Sequence, residues 1–261
     1  MISHHEYNYV CSLVESVSQK VLGWRSNDDF RTVSDPNGFK TKADLEANAL
    51  LTQGLVELHP DIPILSEESA HHSIQRPPLY WLLDPIDGTS SWHGGFDGFV
   101  TQAALIKDNI PIFGVISAPA LKRLWTALQG KGAFLNHKLL PSLTSHSRLC
   151  LVDNYPEPRG IASELFEYLP TTNYLECGSI GLKSALVADG TADLFVKDIV
   201  VRDWDIAPAY VLLKEVGACL SLPSGEPFVF SGSYEKNEGV IIARDNATLN
   251  NTLTFFSRSR N

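Results

Sequence analysis

The sequence predicts a mixed α+β and α/β protein in two halves, and three observations predict it. Two stretches near the N-terminus repeat apolar residues at helical spacing, and residues 99–128 alternate as antiparallel strands. Beyond residue 148, short apolar runs alternate with helical ones, as in an α/β fold. Pro141-Ser142-Leu143-Thr144-Ser145 lacks apolar periodicity and marks the boundary, giving an α+β half over 1–142 and an α/β half over 143–261. A chain of 261 residues is long enough to bury a substantial core, as one large domain or two closely packed halves.

Val10, Leu13, Val14, Val17 and Val21 predict an amphipathic first helix that Gly23 ends. Residues 25–40 are polar, carry Asp35-Pro36-Asn37-Gly38, and read as an exposed loop standing where a lid would stand. Thr41-Lys42-Ala43-Asp44 opens a second helix with the apolar face Ala47, Leu50, Leu51, Leu55 and Leu58. Thr41 followed three residues on by an acid is a capping-box start, which explains Asp44 without any chemistry. Ile62-Pro63-Ile64-Leu65 is a short strand cut off by Ser66-Glu67-Glu68-Ser69. His71, His72 and Pro77-Pro78 follow in a polar stretch that reads as a solvated loop rather than a metal site.

The most informative stretch is Trp81-Leu82-Leu83-Asp84-Pro85-Ile86-Asp87-Gly88-Thr89. An apolar strand stops there in two carboxylates, a glycine and a hydroxyl, with Pro85 ending ladder pairing in a tight bend. Asp84, Asp87 and the Ile86 carbonyl then converge as hard oxygen ligands suited to Mg²⁺, while Gly88 lets backbone amides approach a phosphate. An Asx-rich turn between a strand and a helix is the plain alternative.

Residues 99–106 and 112–118 read as a hairpin turning at Lys107-Asp108-Asn109, and 124–128 as a further strand. In the second half, strands are expected at 149–152, 174–175, 192–196, 220–222 and 240–243. Helices are expected at 163–168, at 179–188 ended by Gly190, from Asp205 to Val216 closed by Gly217, and at 247–256. Asp205 reads as a helix cap and Asp203 as a solvated acid.

A formal charge of −9 offers no basic stripe to a polymeric nucleic acid, so a phosphate ligand has to be small or met through bound cations. Cys11, Cys150, Cys177 and Cys219 lie far apart and read as reduced core residues. No apolar run approaches a membrane span and no basic-then-apolar leader opens the chain, so a cytoplasmic protein without a membrane partner is expected. The sequons at Asn246 and Asn250 are chance matches in that setting.

Ser66-Glu67-Glu68-Ser69, Asp84-Pro85-Ile86-Asp87-Gly88-Thr89 and Trp204-Asp205-Ile206-Ala207, in this order, resemble the signatures of the inositol monophosphatase superfamily of Mg²⁺-dependent, typically lithium-sensitive phosphatases. The resemblance runs from about Lys40 to about Gly225. Within that superfamily, residues 59–68, 80–84, 114–119 and 179–190 look closest to bacterial 3′(2′),5′-bisphosphate nucleotidases. Two departures stand out: Ser90-Ser91-Trp92 replaces the Lys-Glu-Phe usual in nucleotidases, and Asp198 lies where inositol phosphatases place a glutamate.

The resemblance implies the layered α-β-α-β-α sandwich of the inositol monophosphatase and fructose-1,6-bisphosphatase type, with two to three Mg²⁺ and often a homodimer. It implies Glu67, Asp84 and the Ile86 carbonyl as ligands of one metal, and Asp84, Asp87 and Asp205 as ligands of a second. Asp44 and Thr89 would activate a water with Glu67 nearby, and the amides of Gly88 and Thr89 would cradle the phosphate. Asp87, Ser179, Lys183, Asp198 and Asp205 would meet the rest of a small phosphorylated substrate. Lys183 and Arg202 are candidate cations for a second phosphate, and Trp92 and Trp204 candidate platforms for a purine. The expected activity is hydrolysis of 3′-phosphoadenosine 5′-phosphate, with inositol monophosphatase as the alternative and a non-catalytic phosphate sensor as a third reading.

Overall fold

A computed structural model describes residues 2–35, 39–69 and 76–259. His71 and His72, and the Pro36-Asn37-Gly38 part of the expected lid, lie outside the described residues. Helix α1 (His4–Trp24) starts on a capping box in which Ser3 and Glu6 exchange hydrogen bonds. It passes through Gly23, which therefore does not end it. Strands β1 (Val33–Asp35) and β2 (Lys40–Thr41) pair ahead of helix α2 (Lys42–Leu58).

Strands β3 (Ile64–Ser66) and β4 (Leu79–Asp87) run parallel, and helix α3 (Thr89–His93) follows β4. Antiparallel β5 (Val100–Lys107), β6 (Ile110–Ala118), β7 (Arg123–Leu128), β8 (Ala133–Leu135) and β9 (Lys138–Leu139) complete a seven-stranded sheet in the order β3 to β9. Strands β8 and β9 have no counterpart in the sequence reading, because their short turn at Asn136 and His137 uses two left-handed residues where glycine is usual.

The second sheet takes β10 (Cys150–Asp153), then helix α4 (Ile161–Tyr168), β11 (Asn173–Glu176), helix α5 (Ile180–Ala188) and β12 (Leu194–Lys197). After the short β13 (Val201–Arg202) come helix α6 (Asp203–Val216), β14 (Cys219–Ser221), β15 (Glu235–Lys236), β16 (Val240–Ala243) and helix α7 (Asn246–Ser259). The five-stranded order is β11-β10-β12-β16-β14, with β11 and β12 parallel to β10 and β16 antiparallel to its neighbours.

Three apolar clusters define five layers. Val10, Val14, Val17 and Val21 of α1 and Leu51 and Leu55 of α2 pack on Trp81, Leu83, Ala103 and Phe113, one face of the large sheet. Tyr80, Leu82, Ala104 and Ile116 on its other face meet α5 and α6, which in turn meet Val152, Phe195 and Ile242 of the small sheet. Leu151, Leu194 and Ile241 on the outer face of the small sheet pack on α4 and α7. The result is the α-β-α-β-α sandwich that the resemblance implies. Strand alternation does the sorting: Trp81 and Leu83 face outward, so Tyr80, Leu82 and then Asp84 face the buried helical layer.

Cys11 and Cys177 are buried, but Cys150 and Cys219 are half-exposed rather than core residues; all four are free thiols.

Helix α6 lies so close to β6 that a Cβ on Gly114 would stand 2.1 Å from the Pro208 carbonyl oxygen. Gly114→Ala should destabilise the fold by about 1–3 kcal/mol through overpacking. Gly23→Ala, which meets nothing within 4 Å, should leave the melting temperature unchanged or raise it. Equal thermal melts for the two variants would refute this account of the seam.

Candidate active site

The parallel register sets Ser66, the last residue of β3, opposite Leu83 just before Asp84, and Glu67 N–H donates to the Leu83 carbonyl at 3.1 Å. Glu67 thereby comes within hydrogen-bonding reach of Asp84. Strand β4 does not stop at Pro85 as the sequence suggests. It continues to Asp87 with an irregular register between Asp84 and Asp87, and Thr101 Oγ1 fastens the bulge by donating to the Pro85 carbonyl at 2.8 Å. Residues three apart on a regular strand face opposite sides, and the bulge turns both carboxylates to the same side.

Asp205 joins them from helix α6. It is the third residue of that helix, and its Oδ2 accepts from Arg202 N–H at 2.7 Å. Ligand atoms of Asp84, Asp87 and Asp205 all lie within 4.8 Å of one another, and all three residues are buried. Asp87 also accepts from the amides of Ile180 at 3.3 Å and Gly181 at 2.5 Å, so it caps α5 across the seam between the sheets.

Burial raises the pKa of each of these acids, and neighbouring carboxylates add to it at three of them. Burial first, then Glu67, Asp87 and Asp205, push Asp84 well above the usual carboxylate range. Asp205 is raised likewise by burial, Asp87 and Glu67. Burial, then Glu68 and Asp87, bring Glu67 to about 7. Burial raises Asp87 too, opposed chiefly by the Gly181 amide. Asp84 Oδ1 is buried with no hydrogen-bond donor among the described residues. An all-oxygen, buried and over-acidic cluster with an orphaned oxygen fits a hard divalent cation.

Beside the triad, Thr89 Oγ1 stands 3.0 Å from both Asp44 Oδ1 and the Ile86 carbonyl. One hydroxyl proton serves one acceptor at a time, so donation to Asp44 leaves the Ile86 oxygen open to a cation. Asp44 Oδ2 accepts from Thr41 N–H at 2.7 Å and Thr41 Oγ1 at 2.5 Å, so the helix-capping residue and the partner of Thr89 are one side chain. Gly88 has φ +89°, and a Cβ there would stand 3.1 Å from the Gly98 carbonyl and from Ser179 Cβ.

Gln102 is the residue that sequence reasoning missed. It is fully buried on β5, and its Nε2 lies 3.4 Å from Asp84 Oδ2, 3.4 Å from Asp87 Oδ2 and 3.1 Å from the Trp204 carbonyl. That carbonyl is available because Pro208, four residues on in α6, has no N–H to take it. The signal was a lone amide in the apolar run Val100 to Ile106.

Other expected residues fall in different places. Ser179 is buried, caps α5 by accepting from Leu182 N–H at 2.8 Å and bonds Asp87. Lys183 is fully buried, donates to Asn154 Oδ1 and to the Gly178 carbonyl, and is brought down to about 8, chiefly by burial. Asp198 is exposed just past β12. Trp92 is fully buried and donates to the Val21 carbonyl at 2.8 Å, so it offers no platform to a purine. Trp204 is buried against Tyr234 and offers none either. Arg202 pairs with Glu235 at 3.2 Å rather than with Asp203, and Asp203 is buried rather than solvated.

The protonation of Glu67 makes a testable statement. Its folded value of about 7 exceeds the ordinary 4.5, so its stabilising contribution is complete below pH 4.5 and is lost as pH rises through 7. A divalent cation that binds the ionised cluster reverses that loss. The melting temperature with Mg²⁺ minus that in chelator should be small at about pH 5 and larger at about pH 8. A difference independent of pH would refute it.

Residues 7–256 match the inositol monophosphatase family. The 3′(2′),5′-bisphosphate nucleotidase CysQ of Aggregatibacter actinomycetemcomitans is 34% identical over 215 residues, which cover 77% of each chain. A protein of Thermotoga maritima named fructose-1,6-bisphosphatase/inositol-1-monophosphatase is 31% identical over 216 residues, 80% of this chain and 82% of that one. In fold, the chain is similar to inositol monophosphatase II of Staphylococcus aureus, with a TM-score of 0.82 over 98% of this chain and 97% of that one at 21% identity. A match that spans nearly the whole sandwich, and includes both strands and the helix that bring the acids together, makes this chain a member of the inositol monophosphatase family and a phosphatase.

Proposed function

We propose that this phosphatase is Mg²⁺-dependent and hydrolyses 3′-phosphoadenosine 5′-phosphate to AMP and phosphate. The observation that carries the chemistry is the buried triad of Asp84, Asp87 and Asp205 with the Thr89–Asp44 pair beside it. Glu67, Asp84, Asp87, Asp205 and the Ile86 carbonyl would hold the two to three Mg²⁺ of the proposal. Bound there, the cations supply Lewis acidity to the phosphate oxygens and lower the pKa of water.

The protein's own residues do the rest. Thr89 donates its proton to Asp44, which leaves an oxygen lone pair to accept from the attacking water. That contact orients the water toward phosphorus and passes its proton to the Thr89–Asp44 pair as the new P–O bond forms and the ester bond breaks, and the leaving oxygen keeps the electron pair of the broken bond and takes a proton from solvent water. Burial raises Asp44 above an ordinary aspartate, which suits a carboxylate that takes up a proton. Gly88, free of a side chain, lets the backbone amides around Thr89 approach the phosphate.

The substrate reading is supported by the similarity to CysQ. Helices α4 and α5 cover opposite faces of the small sheet, so the carboxyl ends of β10, β11 and β12 open a crevice at a topological switch point. Lys197, half-buried at the end of β12, is a cation at that edge of the sheet and supports a second phosphate there. A second reading, inositol 1-phosphate, is favoured by the Thermotoga relative and by Asp198, whose exposed carboxylate suits sugar hydroxyls. A cytoplasmic site of action and a homodimer accompany the proposal.

Phosphate release from the two substrates with Mg²⁺, compared as kcat/KM, tests the choice. Nucleotide preference supports the first reading, inositol preference the second, and binding without turnover a sensor. Thr89→Ala should lower kcat by about 10²–10⁴-fold with little change in KM, since its role is in proton transfer. An unchanged kcat would return Asp44 to a purely capping role.

A further inference from the structure

Asp203 begins helix α6 two residues before Asp205, and it is fully buried. Its Oδ2 pairs with Arg76 Nη2 at 2.5 Å, and its Oδ1 stands 3.5 Å from Lys236 Nζ. Arg76 Nη1 also donates to the Tyr80 hydroxyl at 3.0 Å, and Nη2 to the Gly232 and Ser233 carbonyls at 3.1 Å each. The guanidinium lies 3.9 Å from the centre of the Tyr234 ring. Lys236 closes the cluster by donating to the Ser231 and Ser233 carbonyls, and Asp203 N–H donates to the Tyr234 carbonyl at 2.9 Å.

Three charges in a seam that apolar side chains would fill at lower desolvation cost call for a reason. Their placement supplies one. Tyr80 lies on β4 four residues before Asp84, on the same inward face, and Asp203 lies two residues before Asp205. A single guanidinium therefore grips both elements that bring those acids together. Its hydrogen bonds to Tyr80, Gly232 and Ser233 fix the direction of the guanidinium, which meets Asp203 as an ion pair.

We propose that the Arg76–Asp203 pair, backed by Lys236, is a positioning device that sets the Asp205 carboxylate against Asp84 and thereby sets the divalent-cation affinity of the site. The inference rests on the reading of Asp205 as a metal ligand. Arg76, Asp203 and Lys236 touch no reacting atom. They act on the site through the start of α6 and bond no ligand themselves.

The test is Mn²⁺ binding by titration calorimetry on the full chain, alongside thermal melts and kcat at saturating Mg²⁺. Asp203→Asn keeps the shape and removes the charge, and should weaken Mn²⁺ binding about tenfold while kcat at saturating metal changes little. The double variant Arg76→Met with Asp203→Leu replaces the pair by apolar groups and leaves Lys236 without its carboxylate; it should melt below the parent and also bind Mn²⁺ about tenfold more weakly. Mn²⁺ affinity within twofold of the parent in Asp203→Asn would overturn the proposal, whatever happens to the melting temperature. Should Asp203→Asn fail to fold, native-like affinity in the double variant would overturn it. A parent chain that binds no Mn²⁺ would overturn the metal reading itself, an outcome distinct from variants that bind as the parent does.

Discussion

Mutual repulsion among four carboxylates held out of water is the constraint on which the rest of the structure depends. Burial opposes the ionisation of all four, and for Glu67, Asp84 and Asp205 neighbouring carboxylates oppose it further. Backbone amides of Ile180, Gly181 and Arg202 and the Gln102 side chain offset part of that cost. None of these donors carries a full charge, and the cluster suits a cation.

Layering makes this possible. The large sheet contributes Glu67, Asp84 and Asp87 from adjacent strand ends, while Asp205 comes from a helix sandwiched between the two sheets. A residue at such a seam is fixed from both sides. Pro208 illustrates the economy: it interrupts α6 where the helix runs against Gly114, and the carbonyl it frees becomes the anchor of Gln102. Packing and active-site geometry are here one arrangement. Asp87 repeats the pattern, because the oxygens that cap α5 belong to a carboxylate of the triad.

Much of the site was legible in the sequence because its acids interrupt otherwise regular patterns. Asp84 and Asp87 stop an apolar strand, Glu67 follows another, and Asp205 starts a helix. What stayed hidden depends on tertiary contact. Asp203 looks like any surface acid until Arg76, 127 positions earlier in the chain, is seen to bury with it. Trp92 reads as a candidate purine platform, yet its indole fills the core against α1. Pro85 suggested an end to the strand, whereas the ladder absorbs it as a bulge. Local sequence signals report local geometry, and each of these errors concerns a partner distant along the chain.

That bulge also sets a rule about length. A strand presents its residues to two faces in turn, so facing is a matter of odd and even count. The irregular step between Asp84 and Asp87 changes the parity once, and only for the residues beyond it. Exchange of Pro85 or Ile86 for another side chain keeps the count, whereas insertion or deletion of one residue between the two acids reverses it. The spacing of this motif is therefore under a stricter geometric demand than the identity of its two central residues.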